Sequence, residues 1–205
     1  MDWQLAVTIL GVLTGALGFA LYIRSILSGE TKPHRVTWGG WTFVGILGVL
    51  SSHEAGAGVG LLVSAAFAVG VAIVFCLSLI PKYGKPGGTR AELIAGIIAA
   101  LALVTQLFID YPPSLGATIA IAADIVFLWP TLKAAWNQPE TEALFPWGIN
   151  LLSVMLGILA LGNYSYPAAG YSIYLLLGDA AVFSALLIQK PKLATKKKSR
   201  KPDIS

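Results

Sequence analysis

Apolar residues run along this chain in seven long blocks, roughly 4–27, 37–52, 55–80, 90–109, 113–135, 143–162 and 166–188. Short polar stretches separate them. Hydrocarbon about 30 Å thick is crossed by a helix of roughly 20 apolar residues. The pattern therefore predicts seven membrane-spanning helices. The second block is the shortest and must borrow from its flanks or stand nearly upright. Alternate turns differ in length. The turns around 28–36, 81–89 and 134–142 are longer and polar, whereas those around 52–56, 110–114 and 161–166 are tight. The stretch Tyr83-Gly84-Lys85-Pro86-Gly87-Gly88 is the clearest linker and ends the third helix.

Charge orients the pattern. All 14 Lys and Arg residues fall on one side. Arg24, Lys32 and Arg35 flank the first long turn, and Lys82, Lys85 and Arg90 the second. Lys133 edges the third. The rest, Lys190, Lys192, Lys196–Lys198, Arg200 and Lys201, crowd the C-terminal tail. Short cytoplasmic loops are enriched in Lys and Arg, so the N-terminus is expected outside and the C-terminus inside. An inner, cytoplasmic membrane of a prokaryote is the expected location. Met1-Asp2-Trp3 lacks a basic leader, so the first block is expected to stay in the mature protein. The +4 net charge comes from the tail, which is expected to meet anionic lipid headgroups. No basic groove is left for nucleic acid.

Composition narrows the function classes. Charged residues make up 12% of the chain, against about 25% in soluble domains. Seven helices consume nearly all of it, leaving no soluble catalytic domain. No Gly-rich phosphate loop, nucleophile elbow or zinc spacing occurs, so neither an enzyme nor a cofactor is expected. A retinal protein is excluded by the lack of Lys in 166–188. Cys76 stands alone and is expected to be a small packing residue. His34 and His53 are expected to be solvated turn residues.

An internal repeat divides the chain. Laying Ile23–Trp41 over Trp129–Trp147 puts Pro33 on Pro139 and Trp41 on Trp147. Both stretches leave one helix, cross a polar turn and enter the next. Helices one to three and five to seven then run in the same direction, because helix four inverts the chain between them. The expected plan is an all-α membrane protein in a 3+1+3 parallel-repeat arrangement. Residues 1–81 form the first three-helix bundle, 82–112 the linker and inverting helix, 113–189 the second bundle and 190–205 a basic cytoplasmic tail. Parallel repeats of this kind are found in some transporters.

Two acids interrupt the apolar blocks. Asp124 and Asp179 both lie about 16–20 Å below the outer boundary at ~1.5 Å per residue. A charge at that depth costs at least about 2.5 kcal/mol, so each should face a cavity or a partner. Two carboxyls sharing a low-dielectric cavity would release protons in steps that belong to the pair. The bland alternative is two separate polar contacts between helices. Gln106 and Asn150 are further polar residues, for which interhelical bonding is an equal explanation. Trp41 and Trp147 are candidates to line a pathway, while Trp38 and Trp136 read as an interfacial belt. Pro130, in Trp129-Pro130-Thr131, should kink helix five. Pro146 either gates helix six or occupies its first turn. Gly39-Gly40 should loosen helix two. Gly40, Trp129, Pro130 and Pro146 are thus the expected hinge and gate.

The stretch 129–144, Trp-Pro-Thr-Leu-Lys-Ala-Ala-Trp-Asn-Gln-Pro-Glu-Thr-Glu-Ala-Leu, resembles the PQ-loop motif of the SWEET and PQ-loop membrane proteins. Pro130 matches the motif proline, Thr131 replaces its glutamine, and Thr141-Glu142-Ala143 resembles the later part. Lys-Pro-His-Arg-Val-Thr-Trp at 32–38 and Pro-Glu-Thr-Glu at 139–142 are similar to prokaryotic SWEET-like proteins. The resemblance implies a seven-helix fold, an inner hinge containing Pro130 and Pro146, and a solute held at mid-depth near Asp179. Two hinge prolines of that family are missing, and helix three, from Ala65 to Leu79, has no carboxamide where the family holds sugar. The expected function is a transporter of a small polar solute, held by Asp124, Asp179, Asn150, Trp41 and Trp147, with protons as a further cargo and room for homo-oligomers. The alternative is a non-transporting membrane sensor or scaffold.

Overall fold

The computed structural model describes the backbone of residues 3–86, 88–109 and 111–198, and side chains as far as Lys192. Among these residues it contains seven α-helices and no strand. They are α1 (Trp3–Leu27), α2 (Arg35–Glu54), α3 (Leu61–Leu79), α4 (Arg90–Phe108), α5 (Pro113–Asn137), α6 (Leu144–Leu159) and α7 (Tyr166–Lys198), with a 3₁₀ turn at Pro139–Thr141. Asp110, Gly87 and the residues after Lys198 fall outside the described residues, as do the side chains beyond Lys192 of the basic tail expected to meet lipid. The helix α7 does not break at 189 but continues to Lys198.

Five helices, α1, α3, α4, α5 and α7, are long and apolar enough to cross a membrane. Their outward faces carry large apolar side chains such as Leu13, Leu17, Val69, Ile97, Leu101 and Leu177. A soluble surface would not expose so continuous a belt. The chain is therefore compatible with a multi-pass integral membrane protein. The other two helices have different compositions for different reasons. α6 is short, at 16 residues. α2 gains residues at both ends relative to its apolar block and includes Arg35, His53 and Glu54. It can be less apolar because it sits centrally, packed against α3, α4, α5 and α7.

That central position explains the glycines of α2. A Cβ on Gly40 would run into the ring of Phe127, and one on Gly48 into the ring of Tyr171. The glycines are notches that admit aromatic rings from α5 and α7. Helix association in lipid depends on such close packing, since lipid tails are as apolar as the side chains. Gly40 therefore reads as a packing residue; the sequence suggested a loosened helix. Around α2, α1 packs on α3 and α6, α7 packs on α5 and α6, and α4 lies against α2 and α5.

Polar bonds fasten both ends of the bundle. At the basic end, Lys85 donates its backbone N–H to Pro33 at 2.9 Å, and Arg35 donates to the Lys85 carbonyl at 3.2 Å. Arg35 Nε donates to the carbonyl of Ser78 at 2.7 Å, satisfying a last-turn group that α3 leaves unpaired. Thr89 and Glu92 form a reciprocal cap at the start of α4. Glu92 is fully buried and also accepts from Thr37 Oγ1 at 2.8 Å. With its proton so committed, Thr37 accepts from His34 Nδ1 at 2.9 Å. His34 lies in the turn before α2, as the sequence suggested, and stays 31% exposed, but it also forms one link joining α2 to α4. At the opposite end, Gly162 donates to Ala57 O at 2.9 Å and Asn163 Nδ2 to Ala55 O at 2.7 Å. Gln106 bonds Glu54 across helices at 3.0 Å. Cys76 faces outward and packs nothing in the core.

Candidate functional site

The periodicity of α5 turns Asp124, Phe127 and Leu128 inward and Ile125 and Trp129 outward. Asp124 is 3% exposed and accepts three hydrogen bonds. Trp41 Nε1 on α2 donates to Oδ1 at 2.9 Å, Tyr171 Oη on α7 to Oδ2 at 3.0 Å, and Tyr174 Oη to Oδ1 at 3.4 Å. Three helices thus converge on one carboxyl group.

The surroundings of Asp179 are the reverse. It is 6% exposed on α7, and its Oδ2 has no hydrogen-bond partner among the described residues. Asn150 on α6, 8% exposed, has an equally orphaned Oδ1. The carboxamide lies against Gly18 of α1, where a Cβ would strike it. Buried polar atoms are nearly always bonded, and each exception calls for an explanation. Thr8 Oγ1 on α1 is a third such atom, away from this site, whereas Asp179 and Asn150 both belong to the lining of one space.

That space is a central cavity of about 50 Å³. Asp124, Asp179, Asn150, Trp41 and Trp147 all line it, so the five candidate binding residues meet at one place. Their neighbours are apolar or aromatic. Phe19 and Phe67 meet edge to face at 4.9 Å. A chain of rings runs from Tyr22 through Trp38 and Trp41 to Trp147, with centroid separations of 5.0, 5.2 and 6.4 Å. The polar groups come mainly from α5 and α7 and the apolar wall mainly from α1 and α3. No Lys, Arg or His lines the cavity among the described residues, and no cluster there has the make-up of a metal site. No hydrogen bond joins Asp124 to Asp179; they share a cavity, with unequal bonding.

At the basic end of this ring chain, Glu142 Oε2 accepts from Tyr22 Oη at 3.3 Å and from Trp147 Nε1 at 3.4 Å. Glu142 lies in the turn before α6. Burial pushes its carboxyl up to about 7, against the opposing pull of the two hydrogen bonds and of Lys85 and Lys190. Ser64 on α3 and Ser172 on α7 meet at 3.1 Å toward the other end.

The four expected hinge residues do not meet in this way. Trp129 is 66% exposed and turned away from the cavity. Gly40 lies under Phe127. Pro146 occupies the first turn of α6, where its missing N–H costs no helical bond. Pro130 is inside α5, which continues as one helix through it.

The sequence reading missed Tyr22, Trp38, Phe67, Tyr171 and Tyr174. Trp38, expected in the interfacial belt, is instead buried against Tyr22 and Trp41. The signal was present, since residues three or four apart share a helix face. Trp38 stands three before Trp41, and Tyr171, Leu175 and Asp179 follow one another at fourfold spacing. No family model matches the chain, and no curated protein or solved structure matches it.

Proposed function

We propose that this chain is a transporter that carries a small polar solute across a prokaryotic inner membrane, by alternating access between two three-helix bundles. One observation carries this reading: the central cavity that gathers Asp124, Asp179 and Asn150 at the junction of α1, α2, α3, α5, α6 and α7. A scaffold gains nothing from orphaned polar atoms at its centre, because each costs stability. A transporter keeps them for its cargo.

The helix pairings support the 3+1+3 plan. Exchange α1 with α5, α2 with α6 and α3 with α7. The contacts α1–α6 and α2–α5 map onto each other, as do α2–α3 and α6–α7, α1–α3 and α5–α7, and α2–α7 and α3–α6. The cavity lining follows the same rule. Ser64, Phe67, Ala68 and Val71 on α3 pair at one constant offset with Tyr171, Tyr174, Leu175 and Gly178 on α7. Trp41 and Trp147, matched in the sequence repeat, touch each other, as residues beside a pseudo-two-fold axis would.

Bonds tie the bundles together at both ends, through Tyr22 and Glu142 at one and Ser64 and Ser172 at the other. The cavity between these ties is small, about 50 Å³. By the usual measure it has room for on the order of three to five waters. The N-terminus lies outside and the basic turns inside, on the charge asymmetry.

Purified protein in liposomes, screened against a chemically mixed panel of small labelled solutes, tests the reading. Saturable uptake of at least one solute, reduced by Asp179→Asn or Asn150→Ala, is expected. Absence of protein-dependent uptake across sugars, amino acids, amines and organic acids would leave the scaffold reading in its place.

A further inference from the structure

We infer that the central cavity binds a small primary alkylammonium ion, its ammonium group held by the side chains of Asp179 and Asn150 and its alkyl part by the aromatic wall. This inference rests on the transport reading for passage of the ion but not for its binding.

Charge supplies the first argument. Two carboxyl groups line the cavity, and no basic side chain does so among the described residues. Buried charges in folded proteins are paired or coordinate an ion. Asp124 has three donors from the protein, whereas Asp179 Oδ2 has none. When Asp179 is ionised its missing partner is a donor, and a positive one satisfies both the charge and the hydrogen bond.

The orphaned atoms supply the second. Both are acceptors, one from a carboxyl and one from a carboxamide. An ammonium group is a pure donor with three N–H bonds. A sugar hydroxyl would bring an acceptor oxygen for every donor, and little remains on the opposite wall to donate to it. Phe19, Phe67, Ala68 and Val71 make that wall apolar, and the hydroxyl of Ser64 beside them is already bonded to Ser172.

The wall supplies the third. A hard metal cation such as Ca²⁺ takes six to eight oxygen ligands, and a chamber with several aromatic faces is a poor source of them. Aromatic faces attract an organic cation through the ring quadrupole and accept its methylene groups at no cost. The volume of about 50 Å³ limits the ion to a few heavy atoms.

Methylammonium and ethylammonium are the probes, with acetamide and ethanol as neutral counterparts, tetramethylammonium as a cation without N–H, and Na⁺ and K⁺ as metal cations. Binding is read in detergent from Trp fluorescence, and passage separately from counterflow in liposomes. The expected result is saturable binding of the primary ammonium ions, weakened at least about tenfold by Asp179→Asn with the gel-filtration profile unchanged. Asn150→Ala, which alters no charge, should weaken ethylammonium more than tetramethylammonium and serves if Asp179→Asn does not fold. Equal binding of acetamide that survives Asp179→Asn would overturn the inference, as would tighter binding of Na⁺ or K⁺, or no binding of any probe. Binding without counterflow would retain the site and remove the transport reading. Counterflow of a neutral solute alone would do the opposite.

Discussion

Gly18 and Gly40 show how much a single hydrogen atom decides in this bundle. A methyl on Gly18 would meet the end of the Asn150 side chain, which can swing aside. Gly18→Ala should therefore fold normally but shift the carboxamide from its present position, changing affinity for any ligand that uses it. A binding isotherm beside a thermal melt checks this; loss of the fold, or unchanged affinity, would go against it. A methyl on Gly40 would instead meet the ring of Phe127, which is fully buried and has nowhere to go. Gly40→Ala should cost about 1–3 kcal/mol by overpacking, and Phe127→Leu in the same chain should restore part of it. If Gly40 were a hinge, the single substitution would stiffen motion with little loss of melting temperature. At this scale the sequence disclosed the acids and two tryptophans, because polar residues stand out in apolar blocks. It disclosed the tyrosines and Trp38 poorly, because an aromatic residue in a membrane helix has three destinations: core, belt and cavity. Only the neighbouring helices choose among them.

The elements divide into those set by their own apolarity and those set by their neighbours. α1, α3, α4, α5 and α7 are legible from length and composition alone. α2 is not, since its glycines, serines and buried tryptophans make sense only once α5 and α7 fill its notches. The turn before α6 has a testable chemistry of its own. The carboxyl of Glu142 lies at about 7, raised by burial from 4.5. Between those values the folded protein binds a proton that the unfolded chain would not. Stability contributed by this group is therefore greatest at the acid end of the window and declines as pH rises through about 7. A plot of melting temperature against pH should show this decline, and Glu142→Gln should flatten it; an unchanged slope in the variant would assign it elsewhere. Pro130 leaves the Val126 carbonyl without its usual helical donor. Pro130→Ala should supply that donor, stiffen α5 and slow exchange between conformations without unfolding the protein. Equal exchange rates in the two proteins, read by spin-label spectroscopy, would show that Pro130 is not the hinge.

On the scale of the whole molecule, the account makes a claim about sidedness and a claim about motion. The first rests on 14 basic residues sharing one side of the predicted layout. A reporter fused after Ser205 should be active only in the cytoplasm, and activity only on the far side would invert the assignment. The second rests on the pairing of helices across two bundles and on the cavity between them. The repeat was faint in sequence because few positions need identical side chains; the contacts and the lining offsets retain what residue identity does not. Motion is tested most directly by paired spin labels after Cys76→Ser. One pair, at exposed Glu30 and Glu140, spans the bundles at the basic end; the other, at exposed Val59 and Ser165, spans them at the opposite end. The account predicts two distances for each pair, with the longer distance at one end populated as the shorter is populated at the other, and both shifted by an occupant of the cavity. A single narrow distance at both ends, unmoved by any ligand, would contradict it.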